Sequence, residues 1–166
     1  MNYQEKLTVI IVAFHSNAII ESLINQLDQS IKILIIENSK DFNLKSKLEN
    51  KYSNVEVIIP DKNIGVGAAI NIGLKNTKTK YSLQISADVL IDKNMIQSLL
   101  ETADKIENFS IIAPRDHSYH YGNEMYINPL EKNKLHQMNL VAGFAMLINM
   151  QNLSKIGLFD EKIFLY

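Results

Sequence analysis

The stretch Tyr81-Ser82-Leu83-Gln84-Ile85-Ser86-Ala87-Asp88-Val89 decides how the rest of the chain is arranged. Apolar Leu83 and Ile85 alternate with polar residues, which predicts a β-strand, and Asp88 stands where that strand should end. In open α/β sheets, ligands bind outside the carboxyl ends of the strands. A carboxylate there is a natural ligand for Mg²⁺ or Mn²⁺, and two phosphates of a bound molecule could complete the metal's shell. We therefore predict that Asp88 binds a metal ion, the alternative being that Asp88 caps the turn after the strand.

The composition indicates one globular domain. The chain has 166 residues, which is enough for a single hydrophobic core. Its formal net charge is -1 and its 17 basic residues are scattered, which argues against nucleic-acid binding. The lack of cysteine excludes disulfides and thiolate metal sites, and it is compatible with a reducing cytoplasm.

A short apolar run, Val9 to Phe14, follows the amino terminus. It is too short to span a membrane, and it lacks the flanks and the small-residue cleavage site of a signal peptide. We therefore expect a cytoplasmic protein without a transmembrane segment. Peripheral association with the inner face of the membrane stays open.

The rest of the chain alternates strands with helices. Strands are predicted where apolar and β-branched residues cluster, and helices where apolar residues recur at helical spacing. Asn17 and Asp92 are expected to cap two helices, and Gly157 to end the last one. This order predicts an α/β fold with a mostly parallel sheet between helices. The predicted strands are 8–14, 31–36, 55–59, the stretch before Asp88, 109–113 and 140–150.

Polar groups follow three of these strands. His15 and Ser16 come after the first, the segment Glu37 to Ser39 after the second, and Asp88 after the fourth. Because parallel strands place their carboxyl ends at one edge, these groups can converge. Such convergence suits a nucleotide, with Glu37 or Asn38 bonded to the base or ribose and Asp88 holding a metal against the diphosphate. The alternative is that Glu37 and Asn38 only form a turn.

A loop rich in small residues, 61–74, runs into the third predicted helix. Its glycines and alanines let the backbone approach a ligand or pack tightly on the sheet, and the free N–H groups of the helix start suit an anion. The Gly65-Val66-Gly67 pattern, with Asp88 about twenty residues further on, also fits part of a nicotinamide-binding fingerprint. That reading is weaker, since Ile70 occupies the third small-residue position and the glycine turn follows the third strand.

The order of these motifs resembles the family 2 glycosyltransferases, which are inverting enzymes with the Rossmann-like GT-A fold. Ser86-Ala87-Asp88 falls on the family's metal-binding Asp-x-Asp, which is often Asn-Pro-Asp in the rhamnosyltransferase-like branch. Phe14-His15-Ser16-Asn17 matches the family's turn after the first strand, and Glu37-Asn38-Ser39-Lys40-Asp41 matches its Asp-Asn-x-Ser-x-Asp motif. The family's Asn-x-Gly repeat is matched by Asn63, Gly65, Asn71 and Gly73. Its Ile-Gly-x-Phe-Asp-Glu-x-Phe-x-Tyr motif is matched by Ile156 to Glu161 with Phe164-Leu165-Tyr166. The resemblance covers essentially the whole chain.

Carried over to this chain, the resemblance implies a pocket for a nucleoside-diphosphate sugar. Asp88 would bind the Mg²⁺ or Mn²⁺ ion, and Ser86 replaces the first acid of the metal motif. The residues implied to line the pocket are Ala13, Phe14, His15, Glu37, Asn38, Asn63, Gly65, Ala68, Ser86 and Asp88.

The resemblance also implies a reaction, transfer of a hexose to a hydroxyl of a glycan or lipid-linked acceptor in polysaccharide biosynthesis. Inversion at the anomeric carbon needs a general base and a metal-stabilised leaving diphosphate. In the family, the acidic pair that carries the base or shapes the acceptor site directly follows Phe-x-Tyr, whereas this chain ends at Tyr166. Residues 1–166 are therefore interpreted as one GT-A-like domain that lacks its C-terminal part, with Asp160 and Glu161 as the nearest candidates for the base.

Two further interpretations stay open at this point. The segment from Pro114 to Met138 is predicted to be a long loop that could contact the acceptor. A catalytically inactive domain of the same fold, which binds a nucleotide or a partner, is the alternative to an active enzyme. Histidine, tyrosine and arginine side chains of the loop are Arg115, His117, Tyr119, His120, Tyr121, Tyr126 and His136.

Overall fold

The protein folds into a mostly parallel sheet with helices on both faces. The computed structural model describes residues 3–92, 94–106, 108–114 and 134–164. The strands are Leu7–Ala13 (β1), Lys32–Glu37 (β2), Val55–Ile58 (β3), Tyr81–Ser86 (β4), Ile111–Ile112 (β5) and Ala145–Asn149 (β6). The helices are Ile20–Gln26 (α1), Phe42–Lys51 (α2), Val66–Asn76 (α3), Met95–Lys105 (α4) and Leu153–Ile156 (α5).

The sheet has the order β3-β2-β1-β4-β6-β5. Strands β1 to β4 run parallel to one another, whereas β6 is antiparallel to both of its neighbours. The predicted α/β class, a mostly parallel sheet between helices, is confirmed.

The larger hydrophobic core lies on one face of the sheet. Alternate residues of β1, Leu7, Val9 and Ile11, are completely buried there. Apolar residues recurring at helical spacing on α1, α2 and α4 cover them, among them Leu23, Leu44 and Leu99. The apolar residues that alternate along the strands therefore pack against those that recur at helical spacing on the helices, and together they form one core.

A smaller core lies on the opposite face, where Ile10 of β1 and Leu34 of β2 pack under helix α3. Ile70 and Leu74 of that helix complete the contact, and Phe159 packs against its margin. Because both faces of β1 and β2 are buried, their sequences read as continuous apolar runs.

Two predicted strands are shorter in the structure than in the sequence. The strand predicted at 140–150 is confined to Ala145–Asn149, and the one predicted at 109–113 to Ile111–Ile112. The apolar pattern did not give the direction of β6 either. After β5 the chain is already at the carboxyl edge, and an antiparallel return needs no crossover helix.

Two predicted helix caps are wrong, and one helix end is confirmed. Ile19, not Asn17, occupies the N-cap of α1, and the Asn17 amide instead donates to Asp41 Oδ2 at 2.6 Å. Asn94, not Asp92, precedes α4, and Asp92 Oδ1 accepts from the Asn94 N–H at 2.7 Å. Gly157, with a φ of 82°, ends α5 as predicted.

Most of the predicted acceptor loop, residues 115–133, lies outside the described residues. His136 is described and is exposed to solvent. Among the described residues, none of the helices is sufficiently long and apolar to cross a membrane.

Candidate functional site

The carboxyl ends of β1 and β2 meet directly. Ala13 pairs with Glu37 in the parallel register, and the Asn38 N–H donates to the Ala13 carbonyl at 2.7 Å. One residue further on, the His15 N–H donates to Ser39 Oγ at 3.2 Å. The convergence predicted for the polar groups after these two strands is therefore present.

His15 adopts a left-handed backbone conformation, with a φ of 51°. This conformation costs energy for a residue with a β-carbon, so it needs support from its surroundings. The hydrogen bond to Ser39 gives that support, and the His15 ring packs edge-on against Phe14 with 4.4 Å between ring centroids. Phe14 is 52% exposed, so an aromatic pair faces solvent at the tip of β1.

Glu37 stabilises the turn after β2 from inside. Its side chain is completely buried, and both carboxylate oxygens accept hydrogen bonds from the turn. Oε1 accepts from the N–H and the hydroxyl of Ser39, and Oε2 accepts from the Asp41 N–H at 2.7 Å. The turn-forming alternative therefore describes the contacts that the Glu37 side chain makes within the chain, and its contact with a base or ribose stays a prediction.

Asn38 connects this turn to the loop before α3. Its Nδ2 donates to the Gly65 carbonyl at 3.2 Å, and its Oδ1 accepts from the Ile64 N–H at 3.4 Å. Asn63 Oδ1 in turn accepts from the Gly65 N–H at 3.0 Å. Asn38, Asn63 and Gly65 thus lie together, as the sequence predicts. The hydrogen bonds that join them are made to one another within the chain.

Asp88 lies at the same edge as the tips of β1 and β2. Val12 pairs with Ser86 in the register of β1 and β4, which places Asp88 two residues beyond that pair, alongside the end of β1. Asp88 is exposed and Ser86 is half-buried. A turn follows β4, in which the Val89 N–H donates to the Ser86 carbonyl at 3.2 Å.

The donor set at this end of β4 fits a hard divalent cation that is shared with a substrate. Asp88 supplies a carboxylate and Ser86 a hydroxyl, both of which are oxygen ligands of the kind that Mg²⁺ accepts. The described residues contain no group of three or more acidic, histidine or cysteine side chains that could hold a metal alone. Mg²⁺ commonly binds to one or two carboxylates plus substrate phosphates, and Asp88 with Ser86 matches that arrangement.

Gly65 is buried beneath the end of the described chain. A β-carbon at Gly65 would lie 2.8 Å from the Phe164 carbonyl oxygen, and the φ of 81° there also requires glycine. Ala68, in the first turn of α3, is 8% exposed. The small residues of this loop therefore serve close packing of the chain on itself, and the loop's approach to a base or ribose stays a prediction.

The two candidates for the base are both engaged in contacts within the chain. Glu161 Oε1 accepts from Asn71 Nδ2 at 3.0 Å and pairs with Lys75 at 3.4 Å, and the Asn71 bond, followed by Lys75, lowers the pKa of Glu161. Asn71 lies five residues into α3, about 7.5 Å along the helix from its start at the carboxyl edge. Asp160 is exposed and closes its own turn, accepting from the Lys162 N–H at 2.9 Å.

Sequence reasoning missed the structural roles of two polar residues, Asp41 and Asn71. Asp41 caps α2 by accepting from the Leu44 N–H at 2.8 Å, and that bond, followed by the Asn17 amide, lowers the pKa of Asp41. Asn71 is completely buried and holds the 159–161 segment, donating to the Phe159 carbonyl and accepting from the Phe159 N–H, both at 2.9 Å. The spacing of Asp41 three residues before Leu44 is a capping signal, whereas no local signal marks the partners of Asn71.

Two surface clefts lie at the opposite edge of the sheet. One includes Tyr3 and Asp28, and the other includes Ser30 and Asn54, residues that precede strands β1, β2 and β3. Ligands in open α/β sheets bind at the other ends of the strands, so we place the site at the carboxyl edge.

These features define an open α/β domain with its ligand edge at the carboxyl ends of β1, β2 and β4. Residues 8–154 match the family model described as glycosyl transferase family 2, and the chain belongs to that family. The sequence is 29% identical over 163 residues to an uncharacterised glycosyltransferase of Rickettsia prowazekii, with 87% of this chain and 49% of the relative covered. It is 27% identical over 124 residues to a cholesterol galactosyltransferase of Borreliella burgdorferi, with 70% of this chain and 34% of the relative covered. The chain spans 23% to 49% of the length of the curated relatives it matches.

Solved structures with the same fold are glycosyltransferases of the GT-A type. The chain superposes on Staphylococcus aureus TarS 1-349 in complex with UDP with a TM-score of 0.71 and 16% identity, covering 96% of this chain and 51% of that one. On the mannosyltransferase PcManGT from Pyrobaculum calidifontis, in complex with GDP-Man and Mn²⁺, the TM-score is 0.69 and the identity 10%, with 96% and 48% covered. The fold is therefore the GT-A fold.

Proposed function

We propose that this chain is the nucleotide-sugar-binding part of an inverting hexosyltransferase that acts on a glycan or lipid-linked acceptor in polysaccharide biosynthesis, at the cytoplasmic side of the membrane. The observation that carries the proposal is the register of β1 and β4, with Val12 opposite Ser86, which puts exposed Asp88 beside the tip of β1. Membership in glycosyl transferase family 2 supplies the class of reaction.

In this proposal the diphosphate of the donor binds over the carboxyl edge. Asp88 and Ser86 would hold Mg²⁺ or Mn²⁺ together with two phosphate oxygens, and the bound ion would neutralise charge that develops on the leaving diphosphate. Phe14 and His15 offer ring faces against which a base can stack. The complexes of TarS with UDP and of PcManGT with GDP-Man and Mn²⁺ support this class of ligand.

The proposed reaction forms one bond and breaks another. The acceptor hydroxyl oxygen bonds to the anomeric carbon while the bond from that carbon to the diphosphate oxygen breaks, and the diphosphate leaves with the electron pair. The hydroxyl proton passes to a general base. We propose that this base is neither Asp160 nor Glu161, because Glu161 is bonded to Asn71 and Lys75 on α3 and Asp160 closes a local turn.

One observation favours a catalytically inactive, nucleotide-binding domain as the second candidate. Ser86 stands where the family's metal motif has an acid, so the metal has a single carboxylate, Asp88, at this end of β4. Both candidates require nucleotide binding, and they differ in transfer. Release of free nucleoside diphosphate from the donor that binds, measured with the chain alone and with crude membrane acceptors, separates them.

Calorimetry with UDP, GDP and dTDP, each with and without Mn²⁺, tests the binding step. We expect one nucleotide to bind and Mn²⁺ to tighten that binding. Asp88→Ala should remove the metal's contribution, a loss of at least about tenfold in affinity. Asp104→Ala is the matched control, since this exposed carboxylate pairs with Lys6 at 3.1 Å at the opposite edge.

The proposal fails if the wild-type chain binds none of the three nucleotides. If Asp88→Ala and Asp104→Ala both bind nucleotide and Mn²⁺ as the wild type does, the metal role of Asp88 is rejected while nucleotide binding stands.

A further inference from the structure

A line of polar side chains runs along one face of the central strand β4. Ser82 and Gln84 are 0% and 2% exposed, and Ser86 follows on the same face, because side chains two apart in a strand share a face. Gln84 has apolar neighbours across the sheet, Ile10 on β1 and Met146 on β6, whereas Ser82 pairs with Thr8 and Ile148. Buried polar residues here stand inside the smaller hydrophobic core.

Two oxygens in this line have no hydrogen-bond partner in the part of the chain that the structure describes. They are Ser82 Oγ and Gln84 Oε1. A buried polar atom without a partner is destabilising, so an apolar residue of similar size at position 84 would be the more stable choice. Departures from the local rule for a core strand are expected at functional sites, where stability is given up for activity.

Gln84 stands directly behind the predicted metal site. It lies two residues before Ser86, about 6.6 Å along the strand, and Asp88 follows in the turn that the Val89 N–H closes on the Ser86 carbonyl. A water that bridges the Gln84 carbonyl oxygen and the Ser86 hydroxyl would be nearly as favourable as a direct hydrogen bond. In such a bridge the Ser86 hydroxyl donates to the water and the water donates to the Gln84 carbonyl oxygen. The lone pairs of the Ser86 oxygen then stay free to bind a cation.

We propose that Gln84 is a positioning residue for the cation, which orients the Ser86 hydroxyl as a metal ligand through a bridging water. This role rests on the proposed function, and it gives a physical reason for a glutamine in the core next to a metal motif that lacks its first acid. Groups that orient metal ligands typically change metal affinity by about 10–100-fold when they are removed.

The test measures Mn²⁺ affinity by the electron paramagnetic resonance signal of the free ion, in the presence of whichever of UDP, GDP and dTDP binds in calorimetry. Gln84→Met should weaken Mn²⁺ binding by about tenfold and leave Tm unchanged or raised, because the unpaired carbonyl is gone. Ser82→Ala is the matched control. It removes the other unpaired oxygen on the same face, two residues further from the carboxyl end of β4, and should leave Mn²⁺ affinity unchanged.

A double-mutant cycle with Ser86→Ala tests the route. If Gln84 acts through Ser86, Gln84→Met should have less than about a twofold effect in the Ser86→Ala background. An undiminished loss in that background, or wild-type Mn²⁺ affinity in Gln84→Met, overturns the inference. Gln84→Leu is the second variant should the methionine chain fail to fold.

The two proposals fail differently. If the wild-type chain binds no nucleotide, the proposed function fails and this inference fails with it. If the wild type binds nucleotide and Mn²⁺ and Gln84→Met does so equally, only the positioning role is rejected.

Discussion

At the scale of single residues, burial separates carboxylates that shape the protein from those that can meet a ligand. Glu37 ends β2 and Asp88 follows β4 at the carboxyl edge, and the sequence predicts a ligand contact for each of them. Glu37 is completely buried with three hydrogen bonds, whereas Asp88 is exposed. The environment, and not the residue type, therefore distinguishes the two carboxylates, and the metal role of Asp88 stays a proposal.

Replacing Glu37 by glutamine tests this assignment. The amide NH₂ cannot accept a hydrogen bond, so either the Asp41 N–H or the Ser39 groups lose their partner in a buried position. We expect Glu37→Gln to lower the free energy of unfolding by about 1–3 kcal/mol in urea denaturation.

Glu56→Gln is the matched control for that measurement. Glu56 pairs with Lys32 at 2.6 Å on the neighbouring strands, and both side chains are about half exposed. Surface pairs of this kind contribute about 0–1 kcal/mol, so the control should unfold almost as the wild type does. Equal losses in the two variants would contradict the structural role given to Glu37.

At the scale of elements, helix α3 is fixed to the sheet by a glycine and to the end of the described chain by an asparagine. A β-carbon at Gly73 would lie 2.6 Å from Ile10 Cγ2, so the helix approaches β1 more closely than any other residue permits. Asn71, two residues earlier, holds the backbone of Phe159 on the other side. The Asn-x-Gly repeat of the sequence is thus explained by packing.

Gly73→Ala should therefore displace α3 from the sheet. Overpacking of a well-packed core costs about 1–3 kcal/mol, and the completely buried Ile10 has no free space to move into. We expect a lower Tm in thermal denaturation followed by circular dichroism.

Gly143→Ala provides the control, because a β-carbon there would meet nothing within 4 Å. Its effect should be neutral or slightly stabilising, since alanine lowers the entropy of the unfolded chain. A Gly73→Ala chain as stable as Gly143→Ala would show that α3 does not depend on the close contact with β1.

At the scale of the whole molecule, the parallel arrangement gives the sheet two chemically different edges. The carboxyl edge holds the tips of β1, β2 and β4, and the amino edge holds the two clefts near Tyr3 and Asn54. We therefore locate the expected site by the direction of the strands and not by the size of a cleft.

Hydrogen exchange can locate the ligand on the molecule. With Mn²⁺ and the bound nucleotide at about 100 times Kd, segments 14–18 and 86–89 at the carboxyl edge should exchange up to about 100-fold more slowly. Segments 28–31 and 53–56 at the amino edge serve as internal controls and should not change. Protection confined to the amino edge would move the site to the clefts and contradict the proposed function.

The sequence by itself determined the class of fold and the family motifs. Continuous apolar runs in β1 and β2, alternation in β4 and helical spacing in α1 to α4 each encode local geometry, so they can be read without a partner. The polar residues after the strands could be placed at one edge for the same reason, because direction in a parallel sheet follows from strand–helix order.

Only the tertiary structure decided which of those polar residues are buried and which face solvent. Burial of Glu37, the contact of Gly65 with Phe164, the bond of Glu161 to Asn71, the antiparallel course of β6 and the unpaired oxygen of Gln84 all depend on residues distant in sequence. Local patterns carry no information about such partners. The physical reason is that solvent exposure and hydrogen-bond satisfaction, which separate a ligand-binding group from a structural one, exist only once the chain has packed.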